Sequence, residues 1–330
     1  MTANYGTFGP GCADRETMEK MFAAGMTGMR LNLSHTSLID SADRIAAFHD
    51  AARSAGVQPE LLIDMQGPEL RIGDLEASVP LFVGEEVMLG GEGIPVPDVI
   101  LPVLYEGDEV LLDDGKISLR VEKNRGSNVI CIVERDGTLY GRKSIKLKNP
   151  HAVVELPVLT EHDLNNVRCA AEYGVTGIMQ PFVRSGRELA RLRRMLEEHG
   201  AGHLKIYAKI ESMQGVHNLE DILPHADEII IARGDLGNDM DLWQLPAVQK
   251  HISAVCKAHT MPFIVVTQML ASMERRPVPT RAEVSDIFNA VYDGAAGVMV
   301  TGETAVGAYP VEVIRYLTNT AKSAEAYLNR

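Results

Sequence analysis

Lys209 and Glu211 stand two residues apart in the segment IYAKIE (206–211), and Asp235 closes the segment IIIARGD (229–235). Alternation with a period of two sends Lys205, Tyr207, Lys209 and Glu211 to one face and Leu204, Ile206, Ala208 and Ile210 to the other. A buried strand therefore ends in a cation and an acid that point the same way. The next apolar run opens at once into Arg233-Gly234-Asp235. Two neighbouring strands that each deliver a carboxylate at the C-terminal end suit Mg²⁺ or Mn²⁺, which take few protein carboxylates and fill their shell with water and substrate oxygens. Lys209 and Arg30 add positive charge for a transferring phosphoryl group. The backbone amides of the Arg233-Gly234-Asp235 turn offer an anion site for a substrate carboxylate. No GxxxxGK[ST] loop occurs, so any nucleotide is held without one.

The elements that must position these groups follow a βα rhythm. Strands are expected near Asn4–Thr7 and at Thr27–Leu33, Leu61–Asp64, Gly177–Pro181, Lys205–Ile210, Glu228–Ala232, Pro262–Thr267 and Gly297–Thr301. Helices fill the gaps: one is capped by Thr160 with Asp163 three residues on, and another starts at Pro310. Eight strands alternating with helices give an α/β fold, a (β/α)8 TIM barrel whose chemistry sits at the C-terminal ends of its strands. The polar residues at those ends form one set: Arg30, Asn32, Ser34 and His35, then Asp64 with Glu69 and Arg71, then Lys209 and Glu211. Arg233 and Asp235, Thr267-Gln268 and Thr301-Gly302-Glu303 complete it. Arg233 and Glu303 are expected to brace one another as an ion pair, whereas Lys209, Glu211 and Asp235 are expected to do chemistry.

Between about Ile72 and Lys146 the helical period disappears and short Gly-, Val- and Asp-rich runs replace it. We therefore expect a catalytic barrel built from residues 1–71 and 147–330, with a small all-β domain, residues 72–146, inserted after the third barrel strand. An insertion there suggests a lid.

Composition narrows the partners. The 330 residues are 45% hydrophobic and 23% charged, a globular balance with ample core. A net charge of −13 argues against general nucleic-acid binding, which rests on Lys/Arg paired with phosphates. No run is long and apolar enough for a membrane span, and the start MTANYGTFGP does not read as a signal peptide. Cys12, Cys131, Cys169 and Cys256 have no CxxC spacing and read as reduced thiols in the cytoplasm.

Taken together, several motifs resemble the pyruvate kinase family: Arg30–His35 (RLNLSH), Asp64 with Gly67–Arg71 (GPELR), Ala208–Glu211 (AKIE), Ala232–Gly237 (ARGDLG), Thr267–Leu270 (TQML), Pro279–Glu283 (PTRAE) and Gly302–Ala305 (GETA). They run in the family's order over nearly the whole chain. The resemblance implies transfer of a phosphoryl group from phosphoenolpyruvate to ADP, giving pyruvate and ATP. It makes Lys209 the lysine that neutralises the phosphoryl group in flight, and Glu211 and Asp235 the ligands of Mg²⁺ or Mn²⁺. Asn32, Ser34, Asp64 and the carbonyl of Met65 would hold K⁺, a dependence that goes with Glu69. Arg30 would touch the phosphate, Thr267 would sit near the enolate carbon, and Ala232, Arg233 and Gly234 would line the substrate site. His35, Arg71 and Lys143 would approach the nucleotide. A homo-oligomer is also implied.

Departures from the family's pattern are Gln66 and Val306, each in place of a lysine, and Met65 in place of a threonine. The family's C-terminal allosteric domain lies beyond the last barrel helix, which here ends near Arg330. A short form without response to fructose 1,6-bisphosphate is therefore expected. Because charge is lost at Gln66 and Val306, a Mg²⁺-dependent lyase, aldolase or decarboxylase acting on an oxo-acid through an enolate is the alternative. A non-catalytic metabolite sensor is a third reading, which has no need of Lys209, Glu211, Asp235 and Thr267 together.

Overall fold

The computed structural model describes residues 1–34, 36–67, 70–113, 115–148 and 157–329. Eight parallel strands close into a barrel: β1 (Ala3–Thr7), β2 (Gly28–Asn32), β3 (Glu60–Asp64), β4 (Gly177–Gln180), β5 (Lys205–Ile210), β6 (Glu228–Ala232), β7 (Phe263–Val266) and β8 (Gly297–Met299). Each pairs with its sequence neighbours, and β8 closes on β1 with Asn4 opposite Val298. β5 and β6 have the bounds that alternation and apolar run length foretell. β7 and β8 are shorter than expected, because the backbone turns away early at Thr267 and Thr301 to build the mouth of the barrel.

Side-chain alternation divides the core in two. Tyr5, Leu62, Met179, Tyr207, Ile230, Ile264 and Met299 fill the inside of the barrel. The opposite faces of the same strands, for example Ile63, Ile206, Ile210, Ile229 and Val265, pack under the surrounding helices. Buried on both faces, such strands read as near-continuous apolar runs. The helix Glu161–Cys169 carries a complete capping box between Thr160 and Asp163, and the helix Pro310–Leu328 buries Val313, Ile314, Leu317, Ala321 and Ala324.

By compactness the chain divides into residues 1–67 with 158–330, which hold the barrel, and residues 68–157. The second unit contains an antiparallel five-stranded sheet, ordered 145–147, 109–112, 117–124, 129–135 and 86–89, and a two-stranded ribbon of 79–81 with 137–139. Its own core includes Ile72, Leu89, Val110, Leu119, Val121 and Val133, with Leu70 and Leu147 packed against it. Hydrophobic clusters of this kind mark independent cores. Among the described residues no helix is long and apolar enough to cross a membrane.

Candidate active site

β5 ends as its alternation requires, with Lys209 on the barrel side. Its ammonium lies 3.0 Å from Glu211 Oε1 and 3.1 Å from Asp64 Oδ1, and it donates to both oxygens of Asp64. Asp64 comes from the end of β3 and accepts from Arg30 as well, with Nη2 at 2.7 Å and Nε at 2.8 Å. Arg30 is on β2. Three strand ends, those of the neighbours β2 and β3 and of β5 one strand further round, thus bring two cations and two carboxylates together. Asp64 and Glu211 are each 2% exposed.

Burial pushes the Asp64 carboxyl up, but the Lys209 and Arg30 charges outweigh it and hold the group below the usual carboxylate range. Glu211 goes the other way. Burial and the negative charges of Asp235 and Asp64 raise it, against the pull of Lys209 and of the Phe182 amide. For Lys209, burial favours the neutral amine, yet Asp64 and Glu211 hold it above the ordinary lysine range. The ammonium stays charged, and the acids around Glu211 repel one another.

That repulsion is what a bound cation relieves, so the donor set fits a divalent metal at Glu211 and Asp235. Among the described residues no group of three His, Cys, Asp or Glu ligands converges. For a monovalent ion, Asn32 and Asp64 face each other across the β2–β3 pairing, and Asn32 Oδ1 already holds the Ser34 amide at 3.1 Å. These oxygens and the neighbouring Met65 carbonyl suit an alkali cation.

β6 runs into a single helical turn, Arg233–Leu236. The Arg233 guanidinium does not meet Glu303. Nη1 lies 2.7 Å from Asp286, and Nη2 donates to the Thr267 carbonyl at 2.6 Å. Glu303 instead accepts the amides of Leu270 at 3.0 Å and Thr301 at 2.7 Å. The expected mutual brace is therefore replaced by two separate braces on the same loop, because Thr267 and Gln268 turn the chain sharply with φ of 83° and 55°. A β-branched residue in that region is strained and needs surroundings that hold it. Gly234 allows the close approach: a Cβ there would lie 3.3 Å from Thr267 Cγ2.

Arg71 donates to the Arg142 carbonyl, and Lys143 lies 2.9 Å from Asp113, all within the β unit. Asp113 is itself held below the carboxylate range, where burial is opposed by hydrogen bonds from Lys143 and Lys116. His35 and Glu69, expected for nucleotide and K⁺, lie outside the described residues. Ala232 is buried at the end of β6, and Val306 is exposed.

The family model "Pyruvate kinase, barrel domain" matches residues 2–314. The chain belongs to the pyruvate kinase family. It is 38% identical to the pyruvate kinase of Bacillus licheniformis, an alignment covering 98% of this chain and 57% of that protein. It is 37% identical to the pyruvate kinase of Thermococcus litoralis over 97% of this chain and 69% of the relative, and 33% identical to that of Clostridium acetobutylicum over 98% and 70%. The chain thus spans between just over half and about two thirds of the length of these relatives.

The hydrogen bonds of the structure reveal two groups that sequence reading overlooked. Asp163 appeared only as the N3 member of a helix cap, yet its carboxylate also accepts the amides of Gln66 and Gly67. Phe182 donates its amide to Glu211 Oε2 at 2.8 Å from a left-handed backbone, φ 53°. A second partner for a capping acid leaves no trace in local spacing. A strained Phe after a Pro leaves none either.

Proposed function

We propose that this protein transfers the phosphoryl group of phosphoenolpyruvate to ADP, giving pyruvate and ATP, with Mg²⁺ or Mn²⁺ and K⁺. The observation that carries this reading is the Lys209 ammonium held between Asp64 and Glu211, with Arg30 on the far side of Asp64. In the reaction the bond between the phosphorus and the enol oxygen breaks, and a new bond forms to an oxygen of the ADP β-phosphate. The enolate left behind takes a proton at its methylene carbon.

Lys209 and Arg30 place fixed positive charge beside the phosphoryl oxygens, where charge neutralisation and positioning do most of the work. A divalent ion held by Glu211 and Asp235 would supply Lewis-acid charge to the enolate and phosphoryl oxygens. The amides that open the Arg233–Leu236 turn receive the substrate carboxylate. Thr267, fixed by Arg233 and strained into place, faces the methylene carbon and orders the proton donor. The protein works in the cytoplasm as an assembly of identical chains, without nucleic acid or membrane.

The test is pyruvate formation from phosphoenolpyruvate with Mg²⁺, with and without ADP and with and without K⁺. Turnover that needs ADP and rises with K⁺ supports the reading. Pyruvate release without ADP, or turnover only with an oxo-acid, would replace it with enolate chemistry that does not involve a nucleotide.

A further inference from the structure

We propose that Asp163 is a positioning residue of this site: through the amides of Gln66 and Gly67 it sets the segment that aims Asp64 at Lys209 and Arg30. The inference deepens the phosphoryl-transfer reading and rests on it. A capping box alone needs only Thr160, whose amide and hydroxyl lie 2.9 and 2.8 Å from Asp163 Oδ2. Asp163 goes further. Oδ1 accepts the Gln66 amide at 2.9 Å, and Oδ2 also accepts the Gly67 amide at 3.1 Å. Four donors converge on one carboxylate that is fully buried. Both carboxylate oxygens act as acceptors, so each of the four donors is met.

The segment it holds is the exit of β3. Leu33 donates to the Asp64 carbonyl at 2.9 Å and Met65 donates to the Met179 carbonyl at 3.1 Å, so Asp163 supplies the next two bonds in the series. Gly67 has φ 62°, and a Cβ on it would fall 2.3 Å from Pro181 Cγ. The backbone is therefore pressed on Pro181, and the following residue, Phe182, is the one whose amide holds Glu211. One buried acid thus borders the supports of both Asp64 and Glu211, although it touches no substrate.

Three variants test the proposal. Asp163→Asn keeps the shape but turns one acceptor into an N–H donor facing N–H groups. Asp163→Glu keeps the charge. Thr160→Ala weakens the same helix cap while leaving both loop amides bonded. The measurements are steady-state kinetics with phosphoenolpyruvate and ADP, and amide hydrogen exchange at Gln66 and Gly67. We expect Asp163→Asn to lower kcat on the order of 10²-fold, the scale of a displaced catalytic group. KM for phosphoenolpyruvate should change far less, and both amides should exchange faster than in wild type. Thr160→Ala should keep kcat and the protection of both amides, and Asp163→Glu should recover part of the lost rate. Wild-type kcat in Asp163→Asn, or an equal loss in Thr160→Ala, would overturn the proposal. If Asp163→Asn does not fold, Asp163→Glu and the wild-type exchange decide: Gln66 and Gly67 amides exchanging as freely as an open loop would contradict the clamp. If the wild type does not turn over phosphoenolpyruvate, the functional reading fails, and the exchange comparison still decides whether the clamp exists.

Discussion

The two ends of the barrel use similar residue types for opposite purposes. At the base, Glu60 accepts from Lys205 Nζ at 3.0 Å and from the hydroxyls of Tyr5 and Tyr207. Burial pushes Glu60 up, but the Tyr5 and Lys205 hydrogen bonds outweigh it and leave the carboxyl below its ordinary range. The two tyrosine rings lie over glycines: a Cβ at Gly177 would fall 2.4 Å from the Tyr207 ring, and one at Gly28 would fall 2.9 Å from the Tyr5 ring. The base is thus a plug of aromatic rings closed by a satisfied acid. At the mouth Asp64 and Glu211 gather around Lys209 and Arg30, and the charge of Asp235 acts on Glu211. A lysine and two hydroxyls together satisfy the Glu60 carboxylate at the base. Crowded acids beside strained turns leave charge for a ligand to complete, which is the pattern of a site under functional constraint.

This contrast breaks most visibly at the mouth. Glu211→Gln and Asp235→Asn are each expected to abolish turnover while the thermal melt stays cooperative, since half of a two-carboxylate ion site is lost. Lys209→Met should lower kcat by on the order of 10²–10³-fold, as expected for an interaction aimed at charge that develops in the transition state. Its effect on phosphoenolpyruvate binding should be smaller, and a change confined to KM would make Lys209 a simple binding residue. K⁺ should raise the rate, and Glu69→Lys should relieve that need. Full wild-type activity in buffer without K⁺ or Na⁺ would show that Asn32, Ser34 and Asp64 hold no monovalent ion needed for turnover.

At the base the expected effects are on stability. Gly177→Ala drives a methyl into the Tyr207 ring and should cost about 1–3 kcal/mol, seen as a lower denaturation midpoint. The per-molecule activity of the folded protein should be retained. A variant as stable as wild type would show that the plug is not tightly packed.

Glu228 offers the subtlest test. Burial, reinforced by Glu60 and opposed by Lys205, raises its pKa to about 7. The folded protein then binds this proton more tightly than the unfolded chain, whose glutamates titrate near ~4.3. Its contribution is therefore fully favourable below the unfolded value, falls as pH rises from about 4 to 7, and is a standing cost above that. Glu228→Gln should remove this component and gain stability relative to wild type as pH rises through the same interval, by up to roughly 3 kcal/mol at pH 8. Glu60 acts with the opposite sign, stabilising above its unfolded value and losing that in acid, so the difference between variant and wild type reads Glu228 together with its coupling to Glu60. A constant difference from pH 4 to 8 would show that Glu228 is not buried beside Glu60.

Much of this was legible in the chain itself. The alternation of 205–211 placed Lys209 and the apolar run 229–232 placed the Arg233 turn, because β strands encode facing with a period of two residues. The eight-fold count of the barrel followed from the same local signals. Less could be read where the partner is distant in sequence. Asp286 reaches Arg233 across 53 residues, and Asp163 reaches Gln66 across 97. The Tyr5–Glu60–Lys205 closure draws on three strands. Left-handed backbone at Phe182, Thr267 and Gln268 runs against local preference, so only the packed barrel dictates it.

The charged mouth is proposed to move a phosphoryl group. Phosphorus NMR of the protein with phosphoenolpyruvate, ADP, Mg²⁺ and K⁺, alongside Lys209→Met, tests it most directly. The phosphoenolpyruvate resonance should be replaced by the γ-phosphate of ATP in the wild type, with the variant slower on the order of 10²-fold or more. Appearance of inorganic phosphate in place of ATP, or equal rates in the two proteins, would contradict it.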